Sequence, residues 1–173
     1  MKPKKIALIG GAGFIGHNLA ISLKNRGHEA IVIDSLAVNN ILSFTDSEIK
    51  NRKLYSAILN QRMDLMHDND VEISIEDARD YNSMCMLLGK YNPDVIIQLA
   101  AVSHANKSNK DPHTTFDHTL RTLENTLDIA RSQGAHVIYL SSSMVYGHFD
   151  SEIVDEDTAC NPLGIYDTLK YSG

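Results

Sequence analysis

The sequence is poor in cysteine, has no excess of basic residues, and contains no long apolar run and no repeat. Cys85 and Cys160 are the only cysteines among 173 residues. Their separation matches no metal-ligand spacing, so no metal site is expected. Both read as free thiols in a reducing, cytoplasmic compartment. Lysine and arginine number 16 against 22 aspartates and glutamates, a net charge of −6. That balance argues against a general binder of nucleic acid or of anionic membranes, while leaving room for a local phosphate pocket. No apolar stretch reaches the length of a membrane span. The first residues, Met1-Lys2-Pro3-Lys4-Lys5, are basic, but the apolar run behind them is too short for a signal peptide and ends in glycines.

What is present is ordinary for a soluble globular protein: 43% hydrophobic and 22% charged residues, enough for one domain with a real core over 1–173. That domain is organised around Gly10-Gly11-Ala12-Gly13-Phe14-Ile15-Gly16. An apolar run, Ile6 to Ile9, precedes the glycines and an amphipathic stretch, Phe14 to Arg26, comes after them. The pattern predicts strand, glycine turn, helix. Gly10 allows the turn, Gly13 lets a pyrophosphate approach the backbone, and Gly16 lets the helix pack closely on the strand. The helix N-terminus offers free N–H groups and the positive end of its dipole to phosphate. A second strand, Glu29 to Ile33, ends in Asp34, whose carboxylate can accept from both ribose hydroxyls of an adenosine and would repel a 2′-phosphate. NAD is therefore favoured over NADP.

The connection from Ser35 to Asp70 is long. It carries a predicted helix, Asp46 to Met66, with Ile49, Leu54, Ile58, Leu59, Met63 and Met66 suggesting an apolar side; it either covers a site or packs on the sheet edge. A third strand, Val71 to Ile75, leads to Asp77-Ala78. Asp77 is placed to hydrogen-bond an adenine amino group, and Asp80 to cap a helix over Tyr81 to Lys90. The fourth strand, Val95 to Leu99, runs into Ala100-Ala101, small residues that would let a cofactor lie close to the backbone. A polar loop, Val102 to Pro112, holds Ser103 and His104 where ligands of open α/β sheets bind; His104 is either a substrate contact or a solvated loop residue. A long helix is expected over Thr114 to Gln133, with Phe116, Leu120, Leu123, Leu127 and Ile129 as its apolar face, and a fifth strand over His136 to Leu140. The fold class is α/β: a doubly wound parallel sheet of order 3-2-1-4-5, with its ligand cleft between the first and fourth strands.

After the fifth strand come Ser141-Ser142-Ser143-Met144-Val145-Tyr146-Gly147. Tyr166 and Lys170 lie further on, in a helix expected to start near Pro162. Residues i and i+4 share one helical face. An ammonium beside a phenol favours phenolate, which can take a proton from a sugar hydroxyl as hydride leaves the carbon. A serine at the neighbouring strand end can hold the same oxygen.

With these residues in this order the chain resembles the extended short-chain dehydrogenase/reductases, in particular the NAD-dependent nucleotide-sugar epimerases and dehydratases. The resemblance rests on Gly10 to Gly16, Asp34, Asp77-Ala78, Leu99-Ala100-Ala101, the serine run with Val145-Tyr146-Gly147, and Tyr166 with Lys170. It implies Tyr166 as catalytic base, Lys170 holding the nicotinamide ribose, Ser142 as the catalytic serine and Ser143 facing substrate. The expected cofactor-binding set is Gly10, Gly13, Phe14, Ile15, Gly16, Asp34, Ser35, Asp77, Ala78, Leu99, Ala100, Ala101 and Ser103 with Tyr166 and Lys170; the expected substrate set is Ser103, His104, Ser142 and Ser143. Dehydratases of the family carry Asp-Glu where this chain has Ser143-Met144. The implied reaction is epimerisation of a nucleotide sugar by transient oxidation, at C4 of a UDP-sugar. Dehydratase or ketoreductase chemistry, and an NAD-binding module without turnover, are the alternatives. Members are often dimers through helices here matching Ser83 to Lys90 and Thr114 to Gln133.

Three features depart from the family. His118 stands where a supporting asparagine is common. The connection after Asp34 is longer than usual. The chain ends at Gly173, three residues after Lys170, whereas members continue for about as many residues again, through further strands and a substrate domain. The expectation is therefore the N-terminal part of a longer enzyme, with poor turnover by itself.

Overall fold

The computed structural model describes residues 2–45, 50–102, 105–149 and 152–173. Among these described residues five parallel strands form one sheet: β1 (Lys5–Ile9), β2 (Glu29–Ile33), β3 (Glu72–Ser74), β4 (Val95–Gln98) and β5 (His136–Tyr139), in the order β3-β2-β1-β4-β5. Ile9, at the end of β1, pairs with Ile33 on one side and Gln98 on the other, so three carboxyl ends finish in register. The strand order is the expected one. Strands buried on both faces read as unbroken apolar runs, which is how Ile6 to Ile9 and Ala30 to Ile33 appear.

The helices are α1 (Phe14–Asn25), α2 (Arg52–Asp68), α3 (Tyr81–Tyr91), α4 (Ala105–Lys110), α5 (Pro112–Phe116), α6 (Thr122–Gln133) and α7 (Ile165–Tyr171). On one face Ile6, Leu8, Ala30, Val32 and Ile97 pack with Ala20 of α1 and Met66 of α2. On the other, Ala7, Ile9, Ile31, Ile33 and Ile96 pack with Met84 and Leu88 of α3 and Ile129 and Ala130 of α6. Side chains alternate across the pleat, so each strand feeds both cores. A buried Leu or Ile there contributes about 1.5–3 kcal/mol of transfer free energy. Asp80 caps α3, accepting from the N–H groups of Asn82 and Ser83 at 3.0 and 3.2 Å, as expected.

Three helices differ from the sequence reading. The segment 114–133 is not one helix: α5 passes through a π-helical turn, Asp117–Arg121, into α6. A π turn admits one extra residue and rotates the helix beyond it. Phe116, Leu120 and Leu127, expected to be apolar-face residues, are 48%, 37% and 44% exposed. Leu123 and Ile129 are buried as expected, but polar residues share the inward face: the Thr119 hydroxyl accepts from Val102 N–H at 3.2 Å, and Thr122 and Thr126 bond the buried amide of Gln98 at 3.0 and 2.9 Å. Helix α2 starts at Arg52, while 46–49 lie outside the described residues. Its inward face is Leu59, Arg62 and Met66, with Leu54 and Ile58 exposed. Helix α7 starts at Ile165, because Asp167 accepts from the N–H groups of Leu163 and Gly164 at 3.2 and 2.9 Å and closes the first turn.

Candidate active site

The carboxyl ends of β1, β2, β4 and β5 open into a cleft of about 500 Å³, a size ordinary for ligand sites. The glycine turn forms its floor. Gly10 has φ of +75°, and a Cβ on it would lie 2.6 Å from the Ala100 amide nitrogen, so both its backbone and its neighbour require glycine. A Cβ on Gly16 would collide with the backbone of Gly11, which is why α1 can start so close to β1. Beside Gly13 the space is open, with only the Gly10 carbonyl at 3.3 Å from where a Cβ would stand. The first-turn N–H groups of α1 have no partners within the helix, and Phe14, Ile15 and Gly16, which carry them, line this opening. The donors and the open backbone fit the pyrophosphate of a dinucleotide.

Asp34 lies just past β2. Its Oδ1 accepts from Leu36 N–H at 2.8 Å and its Oδ2 from Ala12 N–H at 3.0 Å. Burial pushes its carboxyl up, opposed by these two amides and by the nearby Arg62 charge. Each carboxylate oxygen retains a lone pair for a ribose hydroxyl. Asp77 is more occupied: Arg79 Nη2 and Nε donate to its carboxylate at 2.6 and 3.0 Å, and Arg79 Nη1 reaches Asp117 of the π turn at 2.7 Å. Those bonds hold the Asp77 carboxyl below the usual carboxylate range.

At the opposite end, α7 brings Tyr166 and Lys170 to the cleft wall. Lys170 is buried; Nζ donates to the Leu140 carbonyl at 2.7 Å and lies 5.0 Å from the centre of the Tyr139 ring. Burial pushes its ammonium pKa down. One of three donors is used, leaving two for a ligand. Tyr139 OH and Ser141 Oγ donate to the carbonyls of Leu169 and Lys170 at 3.3 and 3.0 Å, fastening the end of β5 to α7.

Of the residues expected from the sequence, Gly10, Gly13, Phe14, Ile15, Gly16, Asp34, Ser35, Asp77, Ala78, Leu99, Ala100, Ala101, Tyr166 and Lys170 line this one cleft. Ser142 and Ser143 do not. Ser142 Oγ accepts from Met144 N–H at 3.2 Å at the head of a 3-10 turn, Ser143–Tyr146, and the serine of this run that lines the wall is Ser141. Ser103 and His104 lie outside the described residues. Tyr55, Arg62, Glu76, His118 and Thr122 also line the cleft and had no assigned site role. For Arg62 the signal was available: it shares a helical face with Leu59 and Met66, at spacings of three and four. Among the described residues no cluster of metal-ligating side chains occurs.

The family model described as "NAD dependent epimerase/dehydratase family" matches residues 6–173. Protein CapI of Staphylococcus aureus is 28% identical over 170 residues, covering 97% of this chain and 47% of that protein. The bifunctional UDP-glucose 4-epimerase and UDP-xylose 4-epimerase 1 of Pisum sativum is 27% identical over 165 residues, covering 93% of this chain and 44% of its own length. The chain thus spans less than half the length of these curated relatives. The crystal structure of UDP-glucose 4-epimerase from Brucella ovis in complex with NAD superposes with a TM-score of 0.77 over 98% of this chain and 45% of that one, at 24% identity, a likeness of fold.

Proposed function

Because the chain belongs to the NAD dependent epimerase/dehydratase family, we propose that it holds NAD in the cleft and serves the epimerisation of a nucleotide sugar, at C4 of a UDP-sugar. The observation that carries the proposal is the convergence of Gly10, Gly13, Asp34, Tyr166 and Lys170 on one cleft, with the phosphate-binding turn at one end and the Tyr–Lys pair at the other. The names of the relatives, UDP-glucose 4-epimerases among them, support the substrate class. Ser143-Met144, where dehydratases carry an acidic pair, supports epimerisation over elimination of water.

In this reading the first-turn N–H groups of α1 take the pyrophosphate, Asp34 accepts from the adenosine ribose, and Lys170 donates to the second ribose. The dinucleotide, when bound, supplies a reversible hydride acceptor. Tyr166 takes the proton of the sugar hydroxyl while Ser142 donates to the same oxygen. When the sugar has turned, Tyr166 returns the proton. The partner is a nucleotide sugar, with a second copy of the chain on the outer face of α3 and α6, where Tyr81, Met86 and Leu127 are exposed. The free thiols, Cys85 half-buried and Cys160 exposed, fit a cytoplasmic protein.

Calorimetric titration with NAD and with NADP tests the cofactor reading. Saturable NAD binding, weaker for NADP and weakened about tenfold or more by Asp34→Ala, is expected. Equal binding of both, or of neither, overturns it. In a protein extended to the full length of its relatives, adding a UDP-sugar to the NAD complex should yield the absorbance of reduced nicotinamide, abolished by Tyr166→Phe. Turnover surviving that substitution removes Tyr166 from its role. A monomer in sedimentation at micromolar concentration removes the second copy.

A further inference from the structure

The long connection between β2 and β3 ends up gripping a single residue of the glycine turn. Ala12 is fully buried, and both of its backbone polar groups are taken by side chains from the segment that begins at Asp34. Its N–H donates to Asp34 Oδ2 at 3.0 Å. Its carbonyl accepts from Asn40 Nδ2 and from Arg62 Nη1, each at 3.1 Å. Asn40 is 1% exposed and is itself fixed, its Oδ1 accepting from Ile41 N–H at 2.8 Å. Arg62 is 8% exposed and keeps its Nε buried without a partner among the described residues.

A buried arginine with an orphan donor is a costly choice. It sits between Leu59 and Met66 on the inward face of α2, where an apolar side chain would pack at no such cost. Its Nη1 hydrogen bond is directed at the peptide joining Ala12 to Gly13. A peptide unit is planar and trans, so holding the Ala12 oxygen sets the direction of the Gly13 N–H and the entry into α1. Asp34 does the same for the peptide before Ala12.

We infer that Arg62, with Asn40, is a positioning residue for the pyrophosphate: the connection between β2 and β3 braces the Ala12–Gly13 peptide so that the donors at the start of α1 are preorganised for phosphate. The inference rests on the dinucleotide reading above. It gives the connection a function beyond covering the sheet edge, and it assigns to Arg62 a phosphate effect exerted through the backbone rather than by contact.

The test is a ligand series, NAD, ADP and adenosine, titrated into the wild-type chain, Arg62→Met, Arg62→Lys and Asn40→Ala, with Tm recorded for each. Arg62→Met should weaken NAD and ADP about tenfold and adenosine less than about twofold, because adenosine has no phosphate. Arg62→Lys should recover part of the loss, since an ammonium can still donate to the Ala12 carbonyl. Asn40→Ala removes one of the two donors, leaves Arg62 in place, and should show the same split at smaller size; it decides the matter if Arg62→Met does not fold. Equal losses for all three ligands, or none, overturn the inference while leaving the cofactor reading intact. A wild-type chain that binds none of the three overturns both.

Discussion

Ser141 Oγ donates to the Lys170 carbonyl at 3.0 Å, while Ser142 Oγ accepts from the Met144 amide at 3.2 Å. The first bond fastens α7 to the sheet. The second caps a turn and leaves the Ser142 proton free to donate. Counting back from Val145-Tyr146-Gly147 selects Ser142 for the sugar oxygen, whereas the cleft wall in the structure contains Ser141. The two assignments predict different kinetics. If Ser142 holds the reacting oxygen, then in a protein extended to the full length of its relatives Ser142→Ala lowers turnover about 10²-fold with NAD affinity unchanged. Ser141→Ala then costs about 1 kcal/mol of stability, the net worth of one hydrogen bond, and leaves turnover within about threefold. Measuring kcat, NAD affinity and Tm for both variants decides. The reverse pattern transfers the role to Ser141.

At the scale of elements, the π turn and the end of β3 are tied together by one arginine. Arg79 bridges Asp77 and Asp117 at 2.6 and 2.7 Å, across pairs about one-third exposed. It holds both carboxyls below the usual carboxylate range. A carboxylate depressed in the folded state contributes stability that is present above its unfolded pKa and is lost as pH falls through the folded one. Arg79→Met should therefore cost about 1 kcal/mol of stability near neutral pH after allowance for solvent screening, read as a lower Tm. The difference from wild type should shrink as pH falls below 3.8, and salt should shrink it at neutral pH. A Tm difference independent of pH would mean that Arg79 acts by packing alone. This bridge marks where sequence reading runs out. Apolar runs and the glycine turn reveal strands and their order, because both arise from local periodicity. Asp77 and Asp117 lie far apart in the chain, and nothing local pairs them. The π turn is equally hidden, since Phe116, Leu120, Leu123 and Leu127 fit an uninterrupted helix. What turns the polar side inward is Gln98, a buried amide in β4 that needs Thr122 and Thr126.

At the scale of the whole molecule, the cleft is lined from both halves of the sheet: the β1–α1 turn and β2 on one side, the π turn, β5 and α7 on the other. A dinucleotide that spans it binds the folded chain and has no site in the unfolded one. Linkage then sets the size of the effect. At a hundredfold excess over Kd the ligand adds about 2.7 kcal/mol, and for a chain of this size each kcal/mol raises Tm by about 2–4 °C. A rise of about 5–11 °C is expected with NAD. Where that stability appears is the sharper test. If Lys170 donates to the second ribose, NAD must slow amide exchange in α7 as well as at the start of α1, while ADP, which ends before that ribose, must protect α1 and β2 and leave α7 unchanged. Protection by NAD confined to the β1–α1–β2 half would place Lys170 and Tyr166 beyond the ligand's reach in this chain. The cleft would then be a nucleotide site whose Tyr–Lys pair contributes to the fold of α7 alone.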